Sequence, residues 1–158
     1  MDGDVRWLDE LEERAWRGLL LATARVLARL DADLHQHAKL RFADYGVLAT
    51  LAEAPDGRLR MSELADRTGL SPSGLTRRVD VLARAGLVER LQCPEDRRGT
   101  FASITGEGRW RFEGAAPRHQ SLVRALFADR LDRRQLNAVL DAADAMRSGL
   151  QGSAARVV

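Results

Sequence analysis

Small polar and cationic side chains share one face of a helix that the sequence predicts over residues 72–85. The opposite face is apolar, because Leu75, Val79 and Leu82 recur at positions i, i+4 and i+7. Hydroxyl and guanidinium groups are the ones that bind phosphates and base edges in a DNA groove. The candidate contact residues at this helix are Ser71, Ser73, Thr76, Arg77, Arg78 and Arg84.

Arg77 is the candidate for reading a base, since a guanidinium can donate two hydrogen bonds to one guanine. Ser73 and Thr76 can serve bases or phosphates. Ser71 precedes the helix as an N-cap, and the unpaired N–H groups of a first helical turn favour a phosphate. An ordinary amphipathic surface helix would show the same pattern, so the interpretation depends on a second cationic element downstream.

That second element is a charged hairpin tip over residues 93–99. It carries Arg97 and Arg98 beside Asp96. An acidic neighbour can hold a guanidinium in one direction, and a narrow minor groove attracts arginine. A polar helix and a cationic hairpin in this order are much less expected by chance than either alone. The combination favours binding of double-stranded DNA.

Short helices and strands must position these groups. Helices are predicted over residues 62–68 and 72–85, and Gly69 between them suits the left-handed backbone that ends a helix. Two strands follow, over residues 87–92 and 100–104. Two helices joined by a tight turn and followed by a hairpin define a winged helix-turn-helix. The predicted fold class is mainly α, with about six helices and a two- or three-stranded β wing.

Longer helices flank this region. One is predicted over residues 7–37 and carries two apolar stripes, although a helix needs only one stripe to pack on its own domain. Two helices are predicted over residues 106–116 and 118–130, divided at Pro117. The last, over residues 132–150, opens with a capping-box variant and has one apolar face.

The second stripe on the first helix predicts a homodimer, because a second subunit can cover it. A helix of about thirty residues spans roughly 45 Å, which exceeds the width of a small domain. We therefore expect residues 1–41 and 112–158 to form a helical dimerisation region. We expect residues 42–111 to form the winged helix-turn-helix DNA-binding domain.

The charge distribution agrees with a polyanionic partner. The 158 residues carry a net charge of only +2, but the charge is −4 over residues 1–57, +4 over residues 58–111 and +2 over residues 112–158. No apolar run approaches the roughly 18 residues that a membrane span needs. A single cysteine suits a reducing cytosol, so we expect a cytoplasmic protein.

Catalytic and metal chemistry have little support in the sequence. Phosphate-binding glycine loops, nucleophile elbows, zinc-protease motifs and cysteine pairs are missing, so neither an enzyme nor a cofactor is expected. His35 and His37 each follow an aspartate by four residues, but no compact metal-ligand signature joins them to His119. Cys93, at the start of the hairpin tip, is either a plain loop residue or a thiolate stabilised by nearby arginines.

Motifs within residues 59–109 resemble those of the MarR family of bacterial regulators. Gly86-Leu87-Val88-Glu89-Arg90 is similar to the family's GLV-x-R signature, and Asp96-Arg97-Arg98-Gly99 is similar to its D-x-R wing signature. Ile104-Thr105-Gly106-Glu107-Gly108 stands where the family has LT-x-x-G. The flanking helices also fall in the family's places, so the resemblance extends over nearly the whole chain.

The resemblance implies an obligate homodimer with interlocked terminal helices and two wings on a pseudo-palindromic site. It implies that Arg98 enters the minor groove and that Asp96 buttresses it. Many members of the family are repressors relieved by small phenolic or anionic ligands, held between the dimerisation and DNA-binding parts. The pocket candidates for such an effector are Trp16, Asp44 and Tyr45.

The function that follows is a sequence-specific transcriptional regulator, a ligand-responsive repressor that binds a pseudo-palindromic duplex as a homodimer. An alternative is a metal- or small-molecule-sensing helical dimer whose DNA binding is secondary. A third hypothesis is a helical scaffold that binds another protein through residues 7–37 and 132–150.

Overall fold

The described residues form six α-helices and three strands, which confirms the mainly α class. The computed structural model describes residues 5–92 and 99–154, and only the backbone for residues 151–154. In chain order the elements are α1 (Glu10–Ala38), α2 (Phe42–Glu53), a 3-10 turn (Pro55–Gly57), β1 (Arg58–Arg60), α3 (Met61–Thr68), α4 (Pro72–Arg84), β2 (Val88–Gln92), β3 (Thr100–Ile104), α5 (Gly106–Leu126), a 3-10 turn (Ala128–Arg130) and α6 (Arg133–Ala154). No helix in this described part is long and apolar enough to cross a membrane.

The contacts divide the chain into two compact units, Met1–His119 and Gln120–Val158, whose boundary falls within α5. The first unit holds α1 to α4, the sheet and most of α5. The second holds the end of α5 together with α6. The candidate DNA-binding elements therefore lie entirely in the first unit.

The turn between α3 and α4 forms as the sequence predicts. α3 ends at Gly69, whose φ of 66° is the left-handed conformation that glycine adopts without strain. α4 begins with Pro72 at its first position, and the Ser71 side chain accepts a hydrogen bond of 3.1 Å from the Gly74 N–H. These two caps fix where α4 starts and hence which residues stand at its exposed first turns.

The three strands form an antiparallel sheet in the order β1-β3-β2. Leu59 and Arg90 both lie opposite Ala102, so they share the sheet face that also carries Val88. Leu59, Ala102 and Val88 are buried, which makes this the inner face. It packs on a core whose largest fully buried side chains are Leu40, Val47, Leu48, Leu51, Leu64, Leu75, Val79 and Leu82.

α1 is buried only near its carboxyl end. Asp9 and Glu12 form a capping box at its start, with hydrogen bonds of 2.8 and 2.9 Å. The buried positions are Leu30, Asp33 and Leu34, and none of residues 5–29 is buried. The large apolar side chains left exposed on this segment are Val5, Trp7, Leu8, Leu11, Trp16, Leu19, Leu20, Leu21 and Leu27.

Pro117 does not divide the segment that follows the sheet, and the predicted pair of helices over 106–116 and 118–130 is wrong. The structure has one helix, α5, with Pro117 inside it. A proline in a helix removes one backbone hydrogen bond, but contacts on either side can hold the helix together. Ala115 is buried before Pro117, and Arg118 forms a bidentate ion pair with Asp33 after it. Tertiary packing therefore outweighs the local cost.

α6 opens with the predicted capping box. The Gln135 N–H donates to the Asp132 carboxylate at 2.8 Å, and the Asp132 N–H donates to the Gln135 side chain at 2.9 Å. The apolar stripe of this helix includes Val139, Leu140 and Met146, all of which are exposed. The second unit therefore also presents an uncovered apolar face.

Candidate nucleic-acid interface

The two faces of α4 are those that the sequence predicts. Leu75 and Val79 have no exposed surface and Leu82 is 2% exposed. The opposite side of the helix points to solvent. Its exposed members are Ser71, Ser73, Thr76, Arg77 and Arg84, while Arg78 is half-buried.

Arg77 is the cation of α4 that is available to a ligand. It is exposed and makes no ion pair or side-chain hydrogen bond with any residue in 5–92 or 99–154. It lines a shallow concave surface together with Ser71 and Gly74, next to the start of the helix. A free guanidinium beside a helix N-terminus suits a base edge or a phosphate, both of which accept hydrogen bonds.

The other two arginines of α4 are engaged within the protein. The Arg84 Nε–H donates to the Asp80 carbonyl oxygen at 3.2 Å, one turn earlier on the same helix. Arg78 Nη1 lies 3.4 Å from Asp44 Oδ1 on α2. The structure therefore separates Arg77, Arg78 and Arg84, which the sequence places in one group.

Arg90 on β2 is a further residue of this surface that sequence reasoning missed. Its Nη2 lies 2.8 Å from Asp80 Oδ1 and donates to the Thr76 carbonyl oxygen at 3.2 Å. Both partners are on α4, so Arg90 ties the helix to the sheet. The available signal was the strand alternation, because it places Arg90 on the same sheet face as the buried Val88.

The described residues include the base of the hairpin whose tip is expected to enter the minor groove. Gln92 pairs with Thr100 at the ends of β2 and β3. Cys93, Asp96, Arg97 and Arg98 lie outside the residues that the structure describes. Their roles stay predictions from the sequence.

The three candidate pocket residues do not lie together. Trp16 is about half exposed on α1, beside Trp7 and Leu8. Asp44 and Tyr45 are buried in α2. Trp16 is fifteen residues before Asp31, which bonds to the start of α2, so about 22 Å of helix separates it from the other two.

A cavity of about 250 Å³ lies elsewhere, between α1 and α5. An ion pair forms part of its wall, since Arg118 donates to both carboxylate oxygens of Asp33 at 2.6 to 3.1 Å. These hydrogen bonds hold the pKa of Asp33 below its ordinary value. The lining residues are Asp33, Leu34, His37, Ala38, Trp110, Arg111, Gly114, Ala115 and Arg118.

The half-buried ring of His119, next in sequence to Arg118, contacts the buried ring of Tyr45 at a tilt of 38°. Their ring centroids are 4.3 Å apart, and Phe42 and Phe112 pack next to them. Burial lowers the pKa of His119 and favours its neutral ring, although the charge of Asp33 opposes this shift. The described residues contain no group of three or more His, Cys, Asp or Glu side chains that could hold a metal ion.

Known proteins are similar to this chain in sequence and in fold. A family model described as the MarR family matches residues 39–99. The transcriptional repressor YetL of Bacillus subtilis is 35% identical over 88 residues, which are 56% of this chain and 53% of that protein. The chain thus aligns with about half the length of the curated relatives that it matches.

The structural neighbours match over nearly the full length. Sco3205, a MarR family transcriptional regulator from Streptomyces coelicolor solved in complex with DNA, is 36% identical. Its TM-score is 0.90, and the match covers 95% of this chain and 94% of that one. CouR from Rhodococcus jostii, solved with p-coumaroyl-CoA, is 28% identical with a TM-score of 0.70 over 81% of this chain and 87% of that one. With the helix-turn-helix, the sheet and the exposed face of α4, these matches show that the chain belongs to the MarR family of transcriptional regulators.

Proposed function

We propose that the protein is a cytoplasmic, homodimeric transcriptional repressor that binds a pseudo-palindromic DNA duplex in a sequence-specific manner. Residues 42–111 supply the DNA-binding domain, and residues 1–41 and 112–158 supply the dimerisation region. α4 lies in the major groove, and the wing tip places Arg98, buttressed by Asp96, in the adjacent minor groove. We assign repression rather than activation because the relative YetL is named as a repressor.

The observation that carries this proposal is the exposed Arg77 on α4, which has no ion-pair partner among residues 5–92 and 99–154. Its neighbours Ser73 and Thr76 are also exposed, so the first two turns of the helix present donors and acceptors together. Arg90 holds the same helix to the sheet at Thr76 and Asp80. A reading surface needs both accessible polar groups and a fixed orientation.

Substituting Arg77 is expected to change which sequence the protein selects. Arg77→Ala removes a base-edge contact and should relax base preference at one or two positions of each half-site. Arg84→Ala is the matched control, because Arg84 is bonded to its own helix and should touch phosphate at most. Selection from a random duplex pool tests this. Identical motifs from both variants would contradict the role of Arg77.

A second copy of the chain is the proposed cover for the apolar surfaces of both units. α1 exposes six large apolar side chains from Leu11 to Leu27, and Val5, Trp7 and Leu8 just before it are exposed as well. Monomeric proteins seldom expose contiguous apolar surface of this extent. Two copies also double the number of DNA contacts, because one recognition helix alone makes too few for specific binding.

The α1–α5 cavity is the proposed site of a small aromatic carboxylate effector. Trp110 supplies an aromatic wall, and Arg111 and His37 supply hydrogen-bond donors at the rim. Arg118 is held by both carboxylate oxygens of Asp33, whereas Arg111 makes one ion pair, from Nη2 to Glu107 at 2.9 Å, so we assign the ligand's charge to the remaining donors of Arg111. A volume of about 250 Å³ suits one substituted ring and is small for a larger ligand.

Benzoate is expected to raise the thermal midpoint of the protein, whereas its neutral isostere benzamide is not, because only the anion can pair with Arg111. Binding to the folded state alone raises the midpoint as the concentration of ligand rises. Arg111→Met should abolish the effect of benzoate. Exposed Arg25→Met on α1 is the control and should retain it. Equal shifts in both variants would place the binding elsewhere.

A further inference from the structure

Arg78 and Arg77 are adjacent on α4 but have opposite environments. The Arg78 side chain is 39% exposed, and its Nη1 lies 3.4 Å from Asp44 Oδ1. Asp44 is only 5% exposed as a residue. Removing a carboxylate from water is costly unless cations and donors replace the lost solvation. Arg78 is thus the counter-ion of the buried Asp44 carboxylate.

The position of Asp44 is itself fixed on two sides. Its Oδ2 accepts a hydrogen bond of 3.3 Å from the Arg41 N–H at the start of α2. The Arg41 side chain pairs with Asp31 of α1 at 3.2 Å, and Asp31 also accepts the Phe42 N–H at 2.8 Å. The carboxylate that holds Arg78 is therefore anchored to the corner between α1 and α2.

We propose that Asp44 and Arg78 are a positioning pair that sets the rotation of α4 about its axis. Successive residues on a helix are about 100° apart, so fixing Arg78 toward α2 turns Arg77 toward the groove. This inference rests on the proposed DNA-binding function and assigns Arg78 a different role from that of Arg77. Arg78 acts through the orientation of the helix and not through a phosphate contact.

The salt dependence of DNA binding distinguishes these roles. The logarithm of the affinity falls as the logarithm of the salt concentration rises. Loss of one phosphate contact makes this negative slope shallower by about 0.9, and by twice that in a dimer. The positioning role predicts that Arg78→Met and Asp44→Asn each weaken specific binding by on the order of tenfold, with the slope unchanged. The double variant should be no weaker than the weaker single variant, because both remove the same interaction.

A matched control pair lies on the neighbouring helix. Glu63 and Arg67 of α3 form an exposed ion pair of 2.8 Å, so Glu63→Gln and Arg67→Met should leave specific binding within about twofold. Arg78→Lys keeps a cation near Asp44 and should restore most of the affinity. If Asp44→Asn fails to fold, Arg78→Met against Arg78→Lys still tests the proposal through the slope.

Two results would overturn the positioning pair. One is a smaller salt slope for Arg78→Met together with unchanged binding by Asp44→Asn, which is the behaviour of a phosphate contact. The other is an unchanged rate of amide hydrogen exchange in α4 of both single variants, measured without DNA. Faster exchange in both variants would support the pair. Failure of the wild-type protein to prefer any sequence would instead count against the proposed function.

Discussion

Replacing Leu19 and Val139 by aspartate is expected to abolish the dimer, the fold and DNA binding together. Leu19 belongs to the apolar stripes of α1 and Val139 to the stripe of α6, and they are 45% and 44% exposed in the single chain. If a second copy covers these faces, each substitution buries an unpaired charge, which is strongly unfavourable. Because folding and association are coupled, the wild-type thermal midpoint should rise with protein concentration.

The control for this experiment places the same charges on polar positions of the same helices. Arg25→Asp and Asn137→Asp should leave the sedimentation behaviour and the thermal midpoint nearly unchanged. Analytical ultracentrifugation and thermal unfolding at several protein concentrations measure both quantities. A folded, monomeric Leu19→Asp Val139→Asp variant that still bound a palindrome tightly would favour α1 and α6 as a docking surface for another protein.

Gly108→Ala is expected to destabilise the protein by on the order of 3 kcal/mol. A Cβ at this position would lie 2.0 Å from the Leu87 carbonyl oxygen, which is backbone and cannot move aside alone. The close approach is needed, because the Thr105 N–H donates to the same oxygen at 3.1 Å. The Thr105 hydroxyl also bonds Gly86 O at 2.7 Å and the Gly108 N–H at 3.0 Å.

Gly114→Ala on the same helix is the matched control for this prediction. Beyond its chain neighbours and the backbone of its own helix, no heavy atom lies within 4 Å of the Cβ that it would gain. The substitution should therefore stabilise α5 by roughly 0.5–1 kcal/mol, through the lower backbone entropy of the unfolded chain. Denaturant unfolding measures both variants. Similar stabilities for the two would show that α5 does not approach the Leu87 backbone, just before β2, closely at Gly108.

Local chemistry explains why much of the first unit could be predicted from the sequence. Ser71, Pro72 and Gly69 act within one or two turns of their own positions, so their types define the ends of α3 and α4. The apolar spacing of Leu75 and Val79 then determines which face of α4 is exposed. The candidate reading surface follows from these two facts.

The rest depends on contacts between residues far apart in the chain. Arg118 and Asp33 are 85 residues apart, and Arg78 and Asp44 are 34 apart. No periodicity links such pairs, because a chain with many arginines and carboxylates allows many pairings. The α1–α5 cavity and the continuity of α5 through Pro117 depend on the same long-range packing. For the same reason the sequence alone does not separate the environment of Arg78 from that of Arg77, or show that Trp16 lies apart from Asp44 and Tyr45.

The central claim is sequence-specific binding of duplex DNA by two copies of this chain. The direct test is a fluorescence anisotropy titration, at one fixed salt concentration, with the duplex upstream of the protein's own gene and a shuffled duplex of equal composition. The predicted result is two chains per site and an affinity for the upstream duplex at least about a thousandfold higher. Equal affinity for the two duplexes, or binding by one chain alone, would contradict it.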